Sequence, residues 1–248
     1  MVEGLESFIR KFSEYNDCYT IIGGAACDIL MTEADTEFRA THDVDMIIIM
    51  EARYREFAKA FWEYVLEGKY RFGWKNSDKV HFYRFTDPVA GYPSMIELFS
   101  REPDYMNGVP EGIVPIHIDD DTSSLSAILL NDDFYNFMLS GRKIVSGVSL
   151  LDTEYIIPFK MSAWLDLKDK KSRGEHVNDR DLKKHKNDVF RLLRIADRSI
   201  SIETSGLVRE SIVRFLSEIT GESIPFEQFE LPFGMDEALE YLKNLYSM

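Results

Sequence analysis

The sequence predicts an α/β fold: a small mixed sheet flanked by helices in residues 1–151, followed by a helical C-terminal domain in residues 152–248. Two observations predict it. Short apolar runs such as "YTII", "MIII" and "SMIELF" recur before Asp152, bounded by turn residues and alternating with helical periods. After Asp152 the strand-like runs stop, and four stretches with apolar residues at helical spacing follow. A chain of 248 residues is long enough to bury a substantial core in this arrangement.

Leu5, Phe8, Ile9 and Phe12 recur at helical spacing, so the chain begins with an amphipathic helix. "CYTIIG" at Cys18 to Gly23 reads as a strand leading into a short helix near Gly24 to Met31. "DVDMIIIM" supplies a second strand, apolar enough to be covered on both faces. "EARYREFAKAFWEYVLEG" is a helix with Phe57, Phe61, Tyr64 and Val65 on one face and Gly68 as its stop. "HFYRFTD" and "SMIELFS" read as strands joined by the turn "PVAGYP", and "GIVPIHIDD" as a further short strand. A serine-capped helix in "SSLSAILLNDDFYNFML" and an extended "GRKIVSGVSLLD", interrupted at Gly147, complete the first domain. The C-terminal helices are "TEYIIPFKMSAWLDLKDKK", "DLKKHKNDVFRLLRIAD", "LVRESIVRFLSEI" and "MDEALEYLKNLYSM", with a polar loop in "KDKKSRGEHVND" between the first two. Trp62, Trp74 and Trp164 read as core residues.

Composition excludes several classes. With 45% hydrophobic residues the chain is not disordered, and no apolar run approaches membrane-spanning length. The opening "MVEGLESFIRKF" carries acids among its apolar residues and lacks a signal-peptide core. Cys18 and Cys27 form neither a disulfide framework nor a zinc spacing. These features point to a cytoplasmic protein. The net charge of −14 opposes nonspecific adhesion to nucleic acid or anionic membrane. It is unevenly placed: Lys160 to Arg194 holds 11 Lys and Arg against 6 Asp and Glu, an excess of +5 that leaves −19 elsewhere. That segment is either a solvated helix face or a local phosphate-binding surface.

Asp43 and Asp45 are the strongest functional candidates. One residue apart on a strand, they project to the same side. Two like charges at the edge of an apolar core are costly without a cation between them. Hard cations such as Mg2+ (or Mn2+) prefer carboxylate oxygen and commonly share it with substrate phosphates. Glu97, inside the apolar strand "SMIELFS", is either a third converging carboxylate or a solvent-facing residue of an edge strand. Gly23 and Gly24 follow a strand and open a helix, where glycines admit a phosphate to backbone N–H groups. No Gly-Lys-Ser/Thr follows, so this is not a Walker loop, and no dinucleotide fingerprint is present. His42 alternates to the face opposite Asp43 and is no metal candidate; His176 and His185 read as surface histidines.

"GGAACDIL" followed by "RATHDVDMIII" resembles the signature of the DNA polymerase beta-like nucleotidyltransferase superfamily, and within it the AbiEii toxin-like branch of bacterial toxin–antitoxin systems. The resemblance covers Gly23 to Ile49. It implies a nucleotidyltransferase-like mixed sheet with the helical domain closing the cleft. The implied reaction moves NMP from a nucleoside triphosphate to an acceptor. It assigns metal binding to Asp43, Asp45 and Glu97, and nucleotide contacts to Gly23, Gly24, Arg39 and Thr41. It also assigns catalytic roles to Lys160 and Asp188 alongside the two aspartates, with Lys160 contacting phosphate and Asp188 orienting it or acting as a base. On the residues alone, Lys160 reads equally as a helix-end cap and Asp188 as part of an exposed turn. Implied partners are an RNA end, such as that of tRNA, docked along Lys160–Arg194 through Lys183, Lys184 and Lys186, and an antitoxin; no membrane is implied. Ala25 stands where many relatives carry Ser or Thr, and Arg191 where many carry Asp. Two alternatives are a catalytically inert nucleotide- or protein-binding relative and a small-molecule nucleotidyltransferase.

Overall fold

The computed structural model describes residues 2–49, 53–71, 74–76, 79–81, 84–99 and 131–248. They form a mixed α/β protein with a six-stranded mixed sheet and eight α-helices. The expected strand "GIVPIHIDD", the start of "SSLSAILL" and the Trp74 side chain lie outside the described residues.

The chain divides into two compact units. The first takes in the described residues of Met1–Thr122 together with Arg142–Asp152; the second takes in those of Ser123–Gly141 and Thr153–Met248. The chain therefore enters the second unit, returns to the first for one strand pair, and leaves it again.

In the first unit the strands are β1 (Tyr19–Ile22), β2 (Asp43–Ile48), β5 (Arg84–Thr86), β6 (Met95–Phe99), β7 (Arg142–Val145) and β8 (Val148–Leu151). β3 (Trp74–Asn76) and β4 (Lys79–His81) form a separate antiparallel pair. The sheet order is β5-β6-β2-β1-β8-β7. β2 lies between antiparallel β1 and parallel β6, and β1 also pairs in parallel with β8. This central position explains the compositions. All four residues of β1 are buried, and β2 changes from alternating at Asp43–Asp45 to fully buried at Met46–Ile48. Gly147, with φ +87°, makes the turn between β7 and β8, where only a residue without Cβ adopts that angle at little cost.

Among the described residues, three α-helices belong to this unit: α1 (Leu5–Phe12), α2 (Gly23–Glu33) and α3 (Tyr54–Glu67), the last ending at Gly68. Phe8 and Phe12 of α1 meet Phe57, Phe61 and Tyr64 of α3 and Tyr19 of β1, with ring centroids 4.5–6.3 Å apart. Edge-on and tilted aromatic pairs at these distances bury large apolar areas. Trp62 reaches Phe85 of β5 and is a core residue, as expected.

The second unit, among its described residues, is helical: α4 (Asp132–Ser140), α5 (Thr153–Ser172), α6 (Asp179–Leu192), α7 (Gly206–Glu218) and α8 (Met235–Leu245). Asn131 caps α4 by accepting from the Asp133 N–H, and Asn178 caps α6 by accepting from the Arg180 N–H. Trp164, Phe190 and Phe215 meet in its core. Pro158 lies inside α5, where it removes the hydrogen bond its position owes to the Glu154 carbonyl. The buried Tyr246 hydroxyl supplies a donor to that carbonyl at 2.6 Å. The C-terminal turn thus completes a helix that the sequence would otherwise break. No described helix is long and apolar enough to cross a membrane.

Candidate functional site

β1 ends at Ile22, which is opposite Asp45 on β2, and the chain turns directly into α2. Gly23 has φ +69°, the left-handed region that side chains other than glycine seldom adopt. A Cβ built there would lie 2.1 Å from Asp45 Oδ2; one built on Gly24 would lie 2.5 Å from Thr41 Oγ1 and 3.6 Å from Arg39 Nη2. The missing side chains let the Asp45 carboxylate, the Thr41 hydroxyl and the Arg39 guanidinium press against the first turn of α2. Orphan N–H groups and a partial positive charge gather at such a helix start. The adjacent Gly23 and Gly24 and the later Arg39 and Thr41 therefore share one place with Asp45.

The segment before β2 is held in place. Ser94 Oγ donates to the His42 carbonyl at 2.8 Å, tying it to the entry of β6. The Arg39 guanidinium lies 4.9 Å over the Phe38 ring. The polar insertion after α2 folds back, with the Thr36 N–H and hydroxyl both donating to the Met31 carbonyl. It leaves a cavity of about 480 Å³ lined by Asp28, Thr32, Asp35, Thr36, Glu37 and Phe38. Sequence reading passed over this cavity because its residues look like an ordinary polar loop.

Asp43 and Asp45 are half-buried on β2, alternating with the buried Val44 and Met46. Glu97 is directly opposite Asp45 on β6 and is only 7% exposed, so it is not a solvent-facing residue of an edge strand. Its Oε1 accepts from Nε of Arg84, its register partner on β5, and is ion-paired with Nη2 of the same guanidinium. Among the described residues, no group of three or more His, Cys, Asp or Glu side chains is gathered to hold a metal ion. The strand adjacency expected for Glu97 is present; its carboxylate is engaged with Arg84. Asp43 and Asp45, two half-buried carboxylates on one face, are a donor pair suited to a hard cation.

Lys160 and Asp188 belong to the second unit. Lys160 lies within α5 and Asp188 within α6; they are 4% and 0% exposed, so the helix-end cap and the exposed turn are both wrong for them. Lys160 Nζ donates to Asp188 Oδ2 at 3.0 Å, and Arg191 Nη1 donates to Oδ1 at 3.2 Å. The Arg191 guanidinium also lies 4.5 Å from the Phe229 ring centroid.

Nine of the eleven basic residues between Lys160 and Arg194 form ion pairs with carboxylates. Three of those carboxylates, Glu218, Glu222 and Glu230, come from later in the chain. The linear excess of charge is thereby offset in the folded unit. Lys186 is 7% exposed and bound to Glu222 at 2.7 Å, so it is not a surface contact for RNA. His185 is buried rather than solvated.

No family model matches the chain, and no curated protein matches it.

Proposed function

We propose that the chain is a metal-dependent nucleotidyltransferase of the DNA polymerase beta-like superfamily, in its AbiEii toxin-like branch. It would move NMP from a nucleoside triphosphate to an acceptor and release pyrophosphate. The observation that carries the reading is the closeness of the Asp45 carboxylate and the Thr41 hydroxyl to glycines that open a helix. Such a place joins phosphate-binding N–H groups to a carboxylate able to share a metal with that phosphate.

In this reading the first turn of α2, Arg39 and Thr41 hold the triphosphate. Asp43 and Asp45 hold Mg2+ or Mn2+. The bound metal would offset charge on the attacking and leaving oxygens of an in-line displacement. The acceptor hydroxyl forms a new P–O bond to the α-phosphorus as the bond to pyrophosphate breaks. The reading rests on residues of the first unit alone. The acceptor class, an RNA end, comes from the resemblance.

The test is incubation with each labelled triphosphate, Mg2+ or Mn2+, and RNA, protein or small-molecule acceptors. Label should move to one acceptor class with release of pyrophosphate. Metal-independent binding without transfer to any acceptor would replace the reading with an inert nucleotide-binding protein.

A further inference from the structure

We infer that Arg84 is an anion-contacting residue of this site and that Glu97 is its positioning residue rather than a metal ligand; this deepens the nucleotidyltransferase reading and rests on it. The register aligns Arg84, Glu97 and Asp45 in one row across β5, β6 and β2. Residues directly opposite on paired strands project from the same face of a sheet. The row continues to Ile22 on β1, the residue from which the chain turns into α2. A guanidinium, a buried carboxylate and the carboxylate pressed against Gly23 therefore lie in sequence on one face.

Glu97 is placed to orient Arg84. It is 7% exposed and beside Asp45, so its charge needs a cation close by. Arg84 meets that need with an Nε–H hydrogen bond and an Nη2 ion pair to one carboxylate oxygen, two contacts that constrain the plane of the guanidinium. The Arg84 side chain is nevertheless 43% exposed, so this cation reaches solvent while its orientation is set from within. A planar, always-charged group held in that way suits phosphate oxygens. Adjacent strands are spaced by about 4.8 Å, so the Arg84 backbone starts about 10 Å from that of Asp45. Its side chain spans part of that interval, as far as Glu97. The ligand class is a polyphosphate, the part of a nucleoside triphosphate that carries the charge.

The test measures two ligands separately by isothermal titration: Mn2+ alone, and inorganic tripolyphosphate with Mg2+. The proteins are wild type, Arg84→Ala, Arg84→Lys, Glu97→Gln and Arg84→Ala/Glu97→Gln. Arg84→Ala should weaken tripolyphosphate binding by about tenfold or more, the size of one charge-assisted contact. Arg84→Lys should recover part of that loss. Glu97→Gln, which keeps shape and size, should weaken tripolyphosphate binding less than Arg84→Ala and leave Mn2+ affinity within about twofold. The double variant should bind tripolyphosphate no more weakly than Arg84→Ala. Thermal melts of Arg84→Lys and Glu97→Gln keep the comparison valid if the alanine variant fails to fold. The inference is overturned if Glu97→Gln loses Mn2+ binding but keeps tripolyphosphate binding. It is equally overturned if Arg84→Ala binds tripolyphosphate as wild type does, or if wild type binds none. Wild-type polyphosphate binding that depends on Arg84, without nucleotide transfer to any acceptor, would remove the enzymatic reading and leave the inference standing.

Discussion

The two units handle their ionisable side chains in opposite ways. In the second, Lys160, Asp188 and Arg191 form a set in which the Asp188 carboxylate, 0% exposed, receives a cation on each oxygen. In the first, Asp43 and Asp45 are half-buried on one face of a strand, and the start of a helix is packed against Asp45. Burying a charge is costly unless paired, so the arrangement around Asp188 stabilises only if no partner is lost. Half-burial leaves carboxylates able to meet a ligand. The teaching is that the degree of burial separates a charge that supports the fold from one available for chemistry.

That contrast is broken most severely at the aspartates. Asp43→Asn/Asp45→Asn should lower nucleotide transfer by about a thousandfold or more, because the metal's share of transition-state stabilisation is several kcal/mol. Stability should change by less than about 1 kcal/mol, as for partly exposed groups. Transfer assays paired with denaturant melts check both halves; surviving transfer would remove the pair from the site.

Asp188→Ala should show the opposite signature. It leaves Lys160 buried without its carboxylate and should cost about 3–5 kcal/mol in urea unfolding. Lys160→Met/Asp188→Leu should recover most of that loss, since apolar replacement of both partners removes the desolvation cost. A double variant as unstable as the single one would show that the pair's further hydrogen bonds matter more than its charge.

A smaller effect is expected at Tyr246. Tyr246→Phe keeps the ring but leaves the Glu154 carbonyl, already deprived of its helical donor by Pro158, without the hydroxyl. The cost should be about 1–3 kcal/mol. Adding Pro158→Ala should restore stability by supplying the missing N–H; no restoration would show that the hydroxyl does not replace the helical bond.

The smallest effect belongs to a surface pair of the second unit. Arg214 donates to both oxygens of Asp169 and holds its carboxyl below the ordinary range, against a smaller opposing effect of desolvation. A lowered folded-state pKa stabilises above the unfolded value and is lost as pH falls through the folded one. Asp169 is 37% exposed, so screening limits the pair to about 1 kcal/mol or less. The melting-temperature gap between wild type and Arg214→Ala should be a few degrees at most at pH 7 and shrink below about pH 4. A gap that widens in acid would reverse the assignment.

Much of the fold was legible because local rules agree with it. Continuous apolar runs marked β1 and β2, which are interior strands, and helical spacing marked α1, α3 and the C-terminal helices. Helical spacing carried α5 correctly through Pro158, but the hydroxyl that donates to the Glu154 carbonyl comes from Tyr246, 92 residues beyond Glu154, and is not a local signal. The serine cap expected in "SSLSAILL" lies outside the described residues; Asn131 caps the part of that stretch that is described. Of the candidate site, the same-face aspartates and the Gly-Gly helix opening followed from spacing alone.

By itself, then, the sequence determined whatever depends on neighbours along the chain: which segments are strands or helices, that Asp43 and Asp45 share a face, and that glycines open α2. Only the tertiary structure decided which distant charges meet. It placed Arg84 on Glu97, Asp188 between Lys160 and Arg191, and Glu218, Glu222 and Glu230 on the basic segment. Helix and strand periodicity is a local property of the backbone, readable over a few residues. A charge is stabilised or left available by whatever comes within a few ångströms of it, and sheet register and helix packing set those neighbours.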